Sequence, residues 1–339
     1  MSRKISHSII NGRIGAGTGG QGLKVEWDSD NTGQRIDGQL HWMDISESSL
    51  ERITWYGDKG IISGGWTGSA TNVMEYITIT STGNGTDWGD LTFNSRDGKA
   101  ASDATNMLIA AGGEWVASID HKTISSAANA TDHGDLTRGG YNMGAVSDGT
   151  YGHFGGGFVS GYAYSNIIDY VSCSTTSSAV DFGDLDVAVV SHGTGESATR
   201  GFFMGGTKSG NIPNNIIQYI TFGSTGNASD FGDLTHASEG GMGTSSRVRC
   251  VNAGAGDGSS TNQIDYFTMD TTGNASDFGD LTSIRSGGAS TSNITRGVFA
   301  GGSGYTNVID YITIATTGNA TDFGDQITGR SEQAMASGD

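Results

Sequence analysis

Pairs of aspartates recur along this chain at a spacing that could hold a cation. Six segments share the pattern Asp-x-Gly-Asp, and they start 45 to 49 residues apart, at Asp87, Asp132, Asp181, Asp230, Asp277 and Asp322. Carboxylate and carbonyl oxygens at turns suit a hard cation such as Ca²⁺. Aspartate beside glycine also caps turns through side-chain to backbone hydrogen bonds. We interpret the motif as a turn cap and assign no metal ligand to it.

Two further patterns could support catalysis, and neither is specific. Gly15, Gly17 and Gly20 match the spacing of a dinucleotide-binding loop, but no strand–helix context surrounds them, so we interpret them as a flexible loop. A glycosidase needs two carboxylates on opposite sides of a sugar, and the 36 acidic residues single out no pair. Cys173 and Cys250 lie far apart, which favours burial in strands over a disulfide or zinc site. The sequence predicts no catalytic, cofactor-binding or metal-ligating residue, and no enzyme.

The charge balance narrows the choice of partners. The chain has 339 residues and a formal net charge of −18, and the first 60 residues are close to neutral, so the acidic excess belongs to the remainder. Such a surface opposes binding to duplex nucleic acid, which needs basic patches. No apolar run is long enough to cross a membrane, and the first residues lack the apolar stretch of a signal peptide. We expect no nucleic-acid partner, no membrane insertion and no Sec export.

The elements that carry the repeated motif are short β-strands. In the last full unit, a small-residue segment from Arg285 leads to Val298-Phe299-Ala300-Gly301-Gly302, and then to Val308-Ile309-Asp310-Tyr311-Ile312. These segments are too short and too rich in β-branched residues for helices, and Gly318-Asn319 marks the turn before the Asp-x-Gly-Asp segment. Each unit therefore offers four strands: a small-residue strand, a diglycine strand, an Ile-Asp-Tyr strand and an Asp-x-Gly-Asp strand. Four-stranded units of this length are typical of β-propeller blades.

The repeats resemble two groups of proteins. The diglycine after an apolar strand resembles kelch-type propellers. The longer phrase, Ile-Asp-Tyr-Ile-Thr-Ile followed by Thr-Gly-Asn-Ala-Thr-Asp-Phe-Gly-Asp, more closely resembles repeats in structural proteins of tailed bacteriophages, over about residues 58–339. This resemblance implies a virion part such as a tail fibre or a surface decoration.

The two ends of the chain predict how the ring closes. Residues 330–337 match the small-residue strand that starts at Arg285, and the chain ends where a diglycine strand should begin. That strand occurs at the other end, around Ile61 to Gly65. One blade would then be shared between the termini, giving six. Alternatively, residues 30–56 are a worn repeat that adds a seventh, partial blade.

We therefore expect an all-β, six-bladed kelch-like propeller over residues 58–339, preceded by a short attachment segment over residues 1–57. That segment contains Trp27, Trp42 and Trp55, half of the tryptophans, and it would dock to other virion proteins or plug its own propeller. The expected function is a non-enzymatic virion protein, assembled in the host cytoplasm in many copies or as a homo-oligomer, for adhesion to a host-surface glycan or protein or for particle decoration. The alternatives are a cellular protein-interaction propeller and a carbohydrate-active enzyme. Binding would lie on loops, of which Gly157–Ser165 and Thr207–Asn214 differ most between units.

Overall fold

The computed structural model describes residues 21–23, 42–44, 57–110, 112–113 and 115–339. Every regular element in these ranges is a β-strand, and none of them contains a helix that could span a membrane. The chain divides into two units, Met1–Arg52 and Ile53–Asp339. In the first unit, β1 (Gln21–Leu23) pairs antiparallel with β2 (Trp42–Asp44). Trp27, Trp55, the glycines from Gly15 to Gly20 and most of the alternative seventh repeat lie outside the described residues.

The second unit contains six four-stranded antiparallel sheets in its described residues. Sheet 1 consists of β32 (Ala334–Gly338), β3 (Lys59–Ser63), β4 (Thr71–Thr78) and β5 (Thr86–Ser95), and sheet 2 of β6 (Lys99–Ser102), β7 (Asn106–Ala110), β8 (Ser118–Thr123) and β9 (Thr131–Asp135). Sheet 3 consists of β11 (Gly144–Ser147), β12 (Tyr151–Gly155), β15 (Ile167–Ser172) and β16 (Val180–Asp184), and sheet 4 of β18 (Gly193–Glu196), β19 (Arg200–Met204), β22 (Ile216–Thr221) and β23 (Ser229–Asp233). Sheet 5 consists of β24 (Met242–Ser245), β25 (Arg249–Ala253), β26 (Gln263–Thr268) and β27 (Ser276–Asp280), and sheet 6 of β28 (Ala289–Ser292), β29 (Arg296–Ala300), β30 (Val308–Thr313) and β31 (Thr321–Asp325).

Within each sheet the strands follow the order that the repeat predicts, from the small-residue strand to the Asp-x-Gly-Asp strand. The small-residue strands contact one another in succession, from β6 through β11, β18, β24 and β28 to β32, and β32 also contacts β6. In sheet 1 the strand from the end of the chain pairs with the first strand of the unit, with Ile61 opposite Ala336. The two ends of the repeat region are therefore joined by main-chain hydrogen bonds.

The Asp-x-Gly-Asp motif is a β-bulge in the last strand of each sheet, so the interpretation as a turn cap was wrong. In sheet 5, Ile264 lies opposite Gly279 and Asp265 lies opposite Asp277, so Phe278 is the extra residue. The other sheets shift register at the same motif. A bulge re-aims one side chain and often uses a glycine with positive φ, and Gly279 has φ +145°. The motif recurs because it turns an aromatic ring inward.

The bulge also joins neighbouring sheets. A Cβ on Gly279 would lie 2.5 Å from the carbonyl oxygen of Gly318 in sheet 6. The N–H of Asp280 donates to Oδ1 of Asn319, 3.1 Å away, and the N–H of Ala320 donates to the carbonyl of Asp280, 2.7 Å away. The same contacts link Asp325 in sheet 6 to Asn84 and Gly85 in sheet 1. The Gly-Asn turn and the Asp-x-Gly-Asp motif are thus two halves of one inter-sheet joint.

The apolar core lies between the sheets. Six clusters of buried side chains occur in the described residues, and each combines two adjacent sheets, including sheets 6 and 1. Phe278 of sheet 5 is 3% exposed and packs in one cluster with Phe299 and Ile314 of sheet 6. Cys173 and Cys250 are buried free thiols, as the sequence predicts. Most of the hydrophobic stabilisation therefore depends on neighbouring sheets remaining in contact.

A closed ring of six backbone hydrogen bonds surrounds one end of the small-residue strands. The residue two positions before each of these strands donates its N–H to the carbonyl of its counterpart in the preceding sheet, over 2.7 to 3.2 Å. The members are Asp97, Asn142, Ser191, Gly240, Gly287 and Glu332. All six have left-handed φ values between 54° and 75°. This group is called the backbone ring below.

Candidate binding face

The loops at the backbone-ring end of the sheets carry most of the irregular structure. The two loops that the sequence singled out form extra hairpins, β13 (Phe158–Val159) with β14 (Ala163–Tyr164), and β20 (Thr207–Lys208) with β21 (Ile212–Pro213). Each hairpin pairs with a third short strand, which lies just before a small-residue strand in the sequence. This third strand is β10 (Gly140–Tyr141) for the first hairpin and β17 (Val189–Val190) for the second. These loops are therefore held by main-chain pairing and form a fixed surface.

Five aromatic rings form a connected group on this face. Trp115 lies 5.2 Å from both Tyr141 and Tyr162, and Phe158 lies 4.9 Å from Tyr164 and 5.4 Å from Tyr141. This aromatic cluster is not a core, because Tyr162 is 68% exposed and the other four side chains are only partly buried. Tyrosine and tryptophan present large rigid surfaces at low entropic cost, which is why they are enriched in binding sites.

Backbone strain accompanies the aromatic cluster. Trp115 and Tyr162 have left-handed φ values of 67° and 60°. For bulky residues this conformation is uncommon, and it clusters at functional sites. On the same face, the indole N–H of Trp66 donates to the hydroxyl of Tyr305 over 3.1 Å, and the Arg96 guanidinium lies 4.7 Å from the Trp66 ring. Tyr305 also has positive φ and is 49% exposed.

A polar cavity of about 370 Å³ opens inside the backbone ring. Its volume is within the range of small-molecule sites. Glycine backbone from sheets 5 and 6 forms much of one side. The polar residues that line the cavity are Asp97, Lys99, Asn142, Ser191, His192, Glu239, Ser259, Ser260, Ser286 and Glu332. Arg96, beside Asp97, and Tyr141, beside Asn142, connect the cavity rim to the aromatic residues.

The charges around the cavity are mostly negative. Burial, reinforced by the nearby Glu332 carboxylate, raises the pKa of Asp97 to about 7, and Lys99 and Arg96 oppose the shift. Burial lowers the pKa of Lys99, and Asp97 and Glu332 oppose that change. Burial also lowers the pKa of His192 to about 3, so this imidazole is neutral at pH 7. His192 is 2% exposed, and neither of its ring nitrogens has a hydrogen-bond partner in the described structure.

Below the cavity, the small-residue strands enclose a narrow polar channel. Equivalent positions on these strands hold Ser102, Ser147, Glu196, Ser245, Ser292 and Ser337. Several of these serines donate to the carbonyl of the neighbouring strand, as Ser292 does to Ser245 over 2.6 Å. Glu196 is the one acidic residue of the set, and burial raises its pKa to about 8.

The repeated aspartates do not converge on a site. The first aspartate of each motif is exposed on the last strand of its sheet, far around the fold from its counterparts. Among the described residues no group of three or more His, Cys, Asp or Glu side chains could hold a metal ion. Exposed charges on a terminal strand discourage pairing with another chain, which gives these carboxylates a physical role.

The sequence singled out the loop Gly157–Ser165, which holds Phe158, Tyr162 and Tyr164, but not the rest of the aromatic cluster or the polar residues of the backbone ring. Trp115 comes from one repeat, and Tyr141 and Tyr162 come from the next, so only the fold brings Trp115 against the other two. Aligning the repeats on their small-residue strands would have shown one position occupied by Gly240 and Gly287 in two units, and by polar residues such as Asn142 in the others. Nothing in one linear repeat shows that these positions form a ring.

Comparison with known proteins identifies the fold alone. No family model matches the chain, and no curated protein matches it. The solved structure of YjhT superposes with a TM-score of 0.63 at 11% sequence identity, over 78% of this chain and 94% of that one. Together with the antiparallel sheets, this similarity shows that the chain has a β-propeller-like, all-β fold.

Proposed function

We propose that residues 58–339 form a closed, six-bladed propeller of the kelch-like type. Three features support closure: the pairing of Lys59–Ser63 with Ala334–Gly338, the apolar cluster between sheets 6 and 1, and the backbone ring. Closure gives the first strand of the repeat region a partner, leaves only the short outer strands as edges, and fixes the loops of all six sheets around one cavity.

The propeller acts as a non-enzymatic binding module through the face at the backbone-ring end. The observation that carries this proposal is the connected, partly exposed aromatic cluster beside a polar cavity. A pre-formed concave site with convergent polar groups is a common form of a ligand site, and here the aromatic rings lie beside the cavity. At the opposite face, the short turns between the small-residue and diglycine strands expose Val248, Ile294 and Tyr151.

The biological setting that we propose is the virion of a tailed bacteriophage, in which many copies display this face for host adhesion or particle decoration. The support is the resemblance of the repeat phrase to phage structural proteins, together with the acidic, highly soluble composition. Residues 1–57 would hold the protein on the particle. Multivalent display raises apparent affinity by about 10²–10⁴ without new contacts, so a weak single site suffices.

Mass spectrometry of purified particles, with antibody labelling in electron micrographs, tests this setting. The proposal requires the protein in stoichiometric amounts on mature particles, with the antibody against the cavity face reaching its epitope. Detection only in the cytosol of the producing cell would favour a cellular interaction propeller. Presence in the particle with the cavity face inaccessible would favour a purely architectural role.

A further inference from the structure

The polar side chains of the backbone ring form a ligand-recognition arc, and we infer that the ligand is an uncharged saccharide. This inference rests on the proposed binding function and names the ligand class of the same face. The arc consists of Glu332, Asp97, Asn142 and Ser191, which are consecutive members of the ring and all line the cavity of about 370 Å³.

The backbone conformation of the arc indicates that its side chains are retained at some cost to folding stability. All six ring positions require left-handed φ, and glycine meets this requirement at Gly240 and Gly287. The arc instead places side chains with a Cβ at φ values of 54° to 59°, where Ser and Glu in particular are unfavourable relative to glycine. Because glycine would satisfy the same hydrogen bonds, the side chains are not needed to close the ring.

His192, next to Ser191, forms part of the cavity wall, but its ring packs between sheets 3 and 4. It is 2% exposed, its ring centre lies 5.6 Å from that of Phe203, and its edge faces the backbone of Gly144. Both ring nitrogens are inaccessible and have no hydrogen-bond partner among the described residues. The imidazole therefore supports the wall beside Ser191, and recognition depends on the arc side chains.

The chemistry of the lining fits hydroxyl groups. Asp97 and Glu332 supply acceptors, Lys99 supplies a donor, and Asn142 and Ser191 supply both. A sugar ring presents several hydroxyls that donate and accept at once, and its apolar C–H face can lie against exposed aromatic rings. Tyr141 directly precedes the arc residue Asn142, and its ring lies 5.2 Å from that of Trp115.

The electrostatics oppose an anionic sugar. Three carboxylic acids, Asp97, Glu239 and Glu332, line the cavity against one lysine, and the whole chain carries a net charge of −18. Arg96, the other nearby cation, lies over the Trp66 ring. A sialylated or sulfated ligand would therefore bring like charges together, which disfavours binding.

The test uses the full chain on an array of immobilised neutral oligosaccharides (glucans, mannans and galactans), with sialylated and sulfated counterparts. The variants are Asn142→Gly and Ser191→Gly, which remove arc side chains at φ values that glycine prefers. Ala104→Gly is the matched control, because Ala104 also has positive φ, 84°, but lies in a turn at the opposite end of the strands. Thermal unfolding and retention on host envelope material are measured in parallel.

We expect binding to at least one neutral structure and weaker binding to its anionic counterparts. Each arc variant should lose binding by about tenfold, the effect of one to two hydrogen bonds, while its melting temperature stays equal or rises. The control should bind like the wild type. Preference for charged probes, or unchanged binding by both arc variants, would overturn the inference.

The inference and the proposed function can fail separately. If the wild type is retained on host envelope material but binds no neutral structure on the array, the saccharide inference is wrong and the binding function stands. If it is not retained at all, the proposed adhesion function fails.

Discussion

The backbone N–H of Asp97 donates to the carbonyl oxygen of Glu332 over 2.7 Å, across 235 residues of sequence. This bond completes the backbone ring, because the other five links run in chain order from Asp97 to Glu332. It brings two acidic residues to adjacent positions at the cavity mouth, and their proximity contributes to the raised pKa of Asp97. The same contact therefore links closure of the fold to the electrostatics of the candidate binding face.

Closure predicts a strong dependence on the last strand. A chain that ends at Gln333 lacks Ala334–Gly338, so Lys59–Ser63 loses its partner strand and the cluster between sheets 6 and 1 is exposed. We expect aggregation or a large fall in melting temperature, measured by calorimetry and light scattering. Asp339→Ala, which keeps the strand, is the control. A truncated chain that melts like the full chain would show that the ring does not depend on this pairing.

The aromatic residue of the bulge predicts a large packing loss. Phe278→Ala removes a ring that is 3% exposed and packs against sheet 6. The free energy of unfolding should fall by about 3–5 kcal/mol, as for other large-to-small core substitutions. Ile284→Ala is the control, since Ile284 is 65% exposed. Equal effects of the two substitutions in urea denaturation would contradict the inter-sheet position of Phe278.

Two glycines separate the energetic cost of a steric contact from the cost of backbone strain. Gly279 and Gly318 have similar φ values, +145° and +156°, but a Cβ on Gly279 would lie 2.5 Å from a carbonyl oxygen, whereas one on Gly318 meets nothing within 4 Å. Gly279→Ala should destabilise the protein by about 2 kcal/mol more than Gly318→Ala, because only the first overpacks the joint. Similar melting temperatures for the two variants would mean that the joint is not close-packed.

Glu196 predicts a pH-dependent stability with a definite sign. Its pKa is raised from 4.5 to about 8 in the folded protein, so the folded state binds more protons than the unfolded state between these values. Stability from this group therefore falls as pH rises from about 4.5 to 8 and is constant above. Glu196→Gln should be more stable than the wild type at pH 9, by at most about 5 kcal/mol, since one pKa unit corresponds to about 1.4 kcal/mol, and equal to it near pH 4. A difference that does not change with pH would exclude titration of Glu196 as the cause.

Attachment predicts a separable role for the first unit. A protein comprising residues 57–339 should fold and stay soluble, because every sheet of the second unit lies in this range. It should fail to join the particle when it replaces the full chain, as judged by mass spectrometry of purified particles. Normal incorporation would place the anchoring surface on the propeller instead.

The sequence predicted the repeat and the four strands of each unit, because short segments rich in β-branched residues and a fixed repeat length indicate strands. It also predicted the pairing of the chain ends, because the two ends match complementary parts of one repeat. It misread Asp-x-Gly-Asp, because a bulge and a turn both favour glycine beside aspartate, and only the register of Ile264 and Asp265 against β27 separates them. It could not place Trp115 beside Tyr162, since loops from different repeats meet only after the sheets pack. Function therefore had to be inferred from surfaces that no single repeat contains.

Retention on host envelope material, with reducing-sugar release followed in the same samples, tests the binding function most directly. The samples are wild-type protein, the double variant Trp115→Ala and Tyr162→Ala, and Val248→Ala, which removes a 53% exposed side chain from a turn at the opposite end of the strands. We expect retention of the wild type and Val248→Ala, loss of retention by the double variant and no sugar release by any of them. Sugar release that disappears when one pair of acidic residues is substituted, or equal retention of all three proteins, would contradict a non-enzymatic binding face at this position.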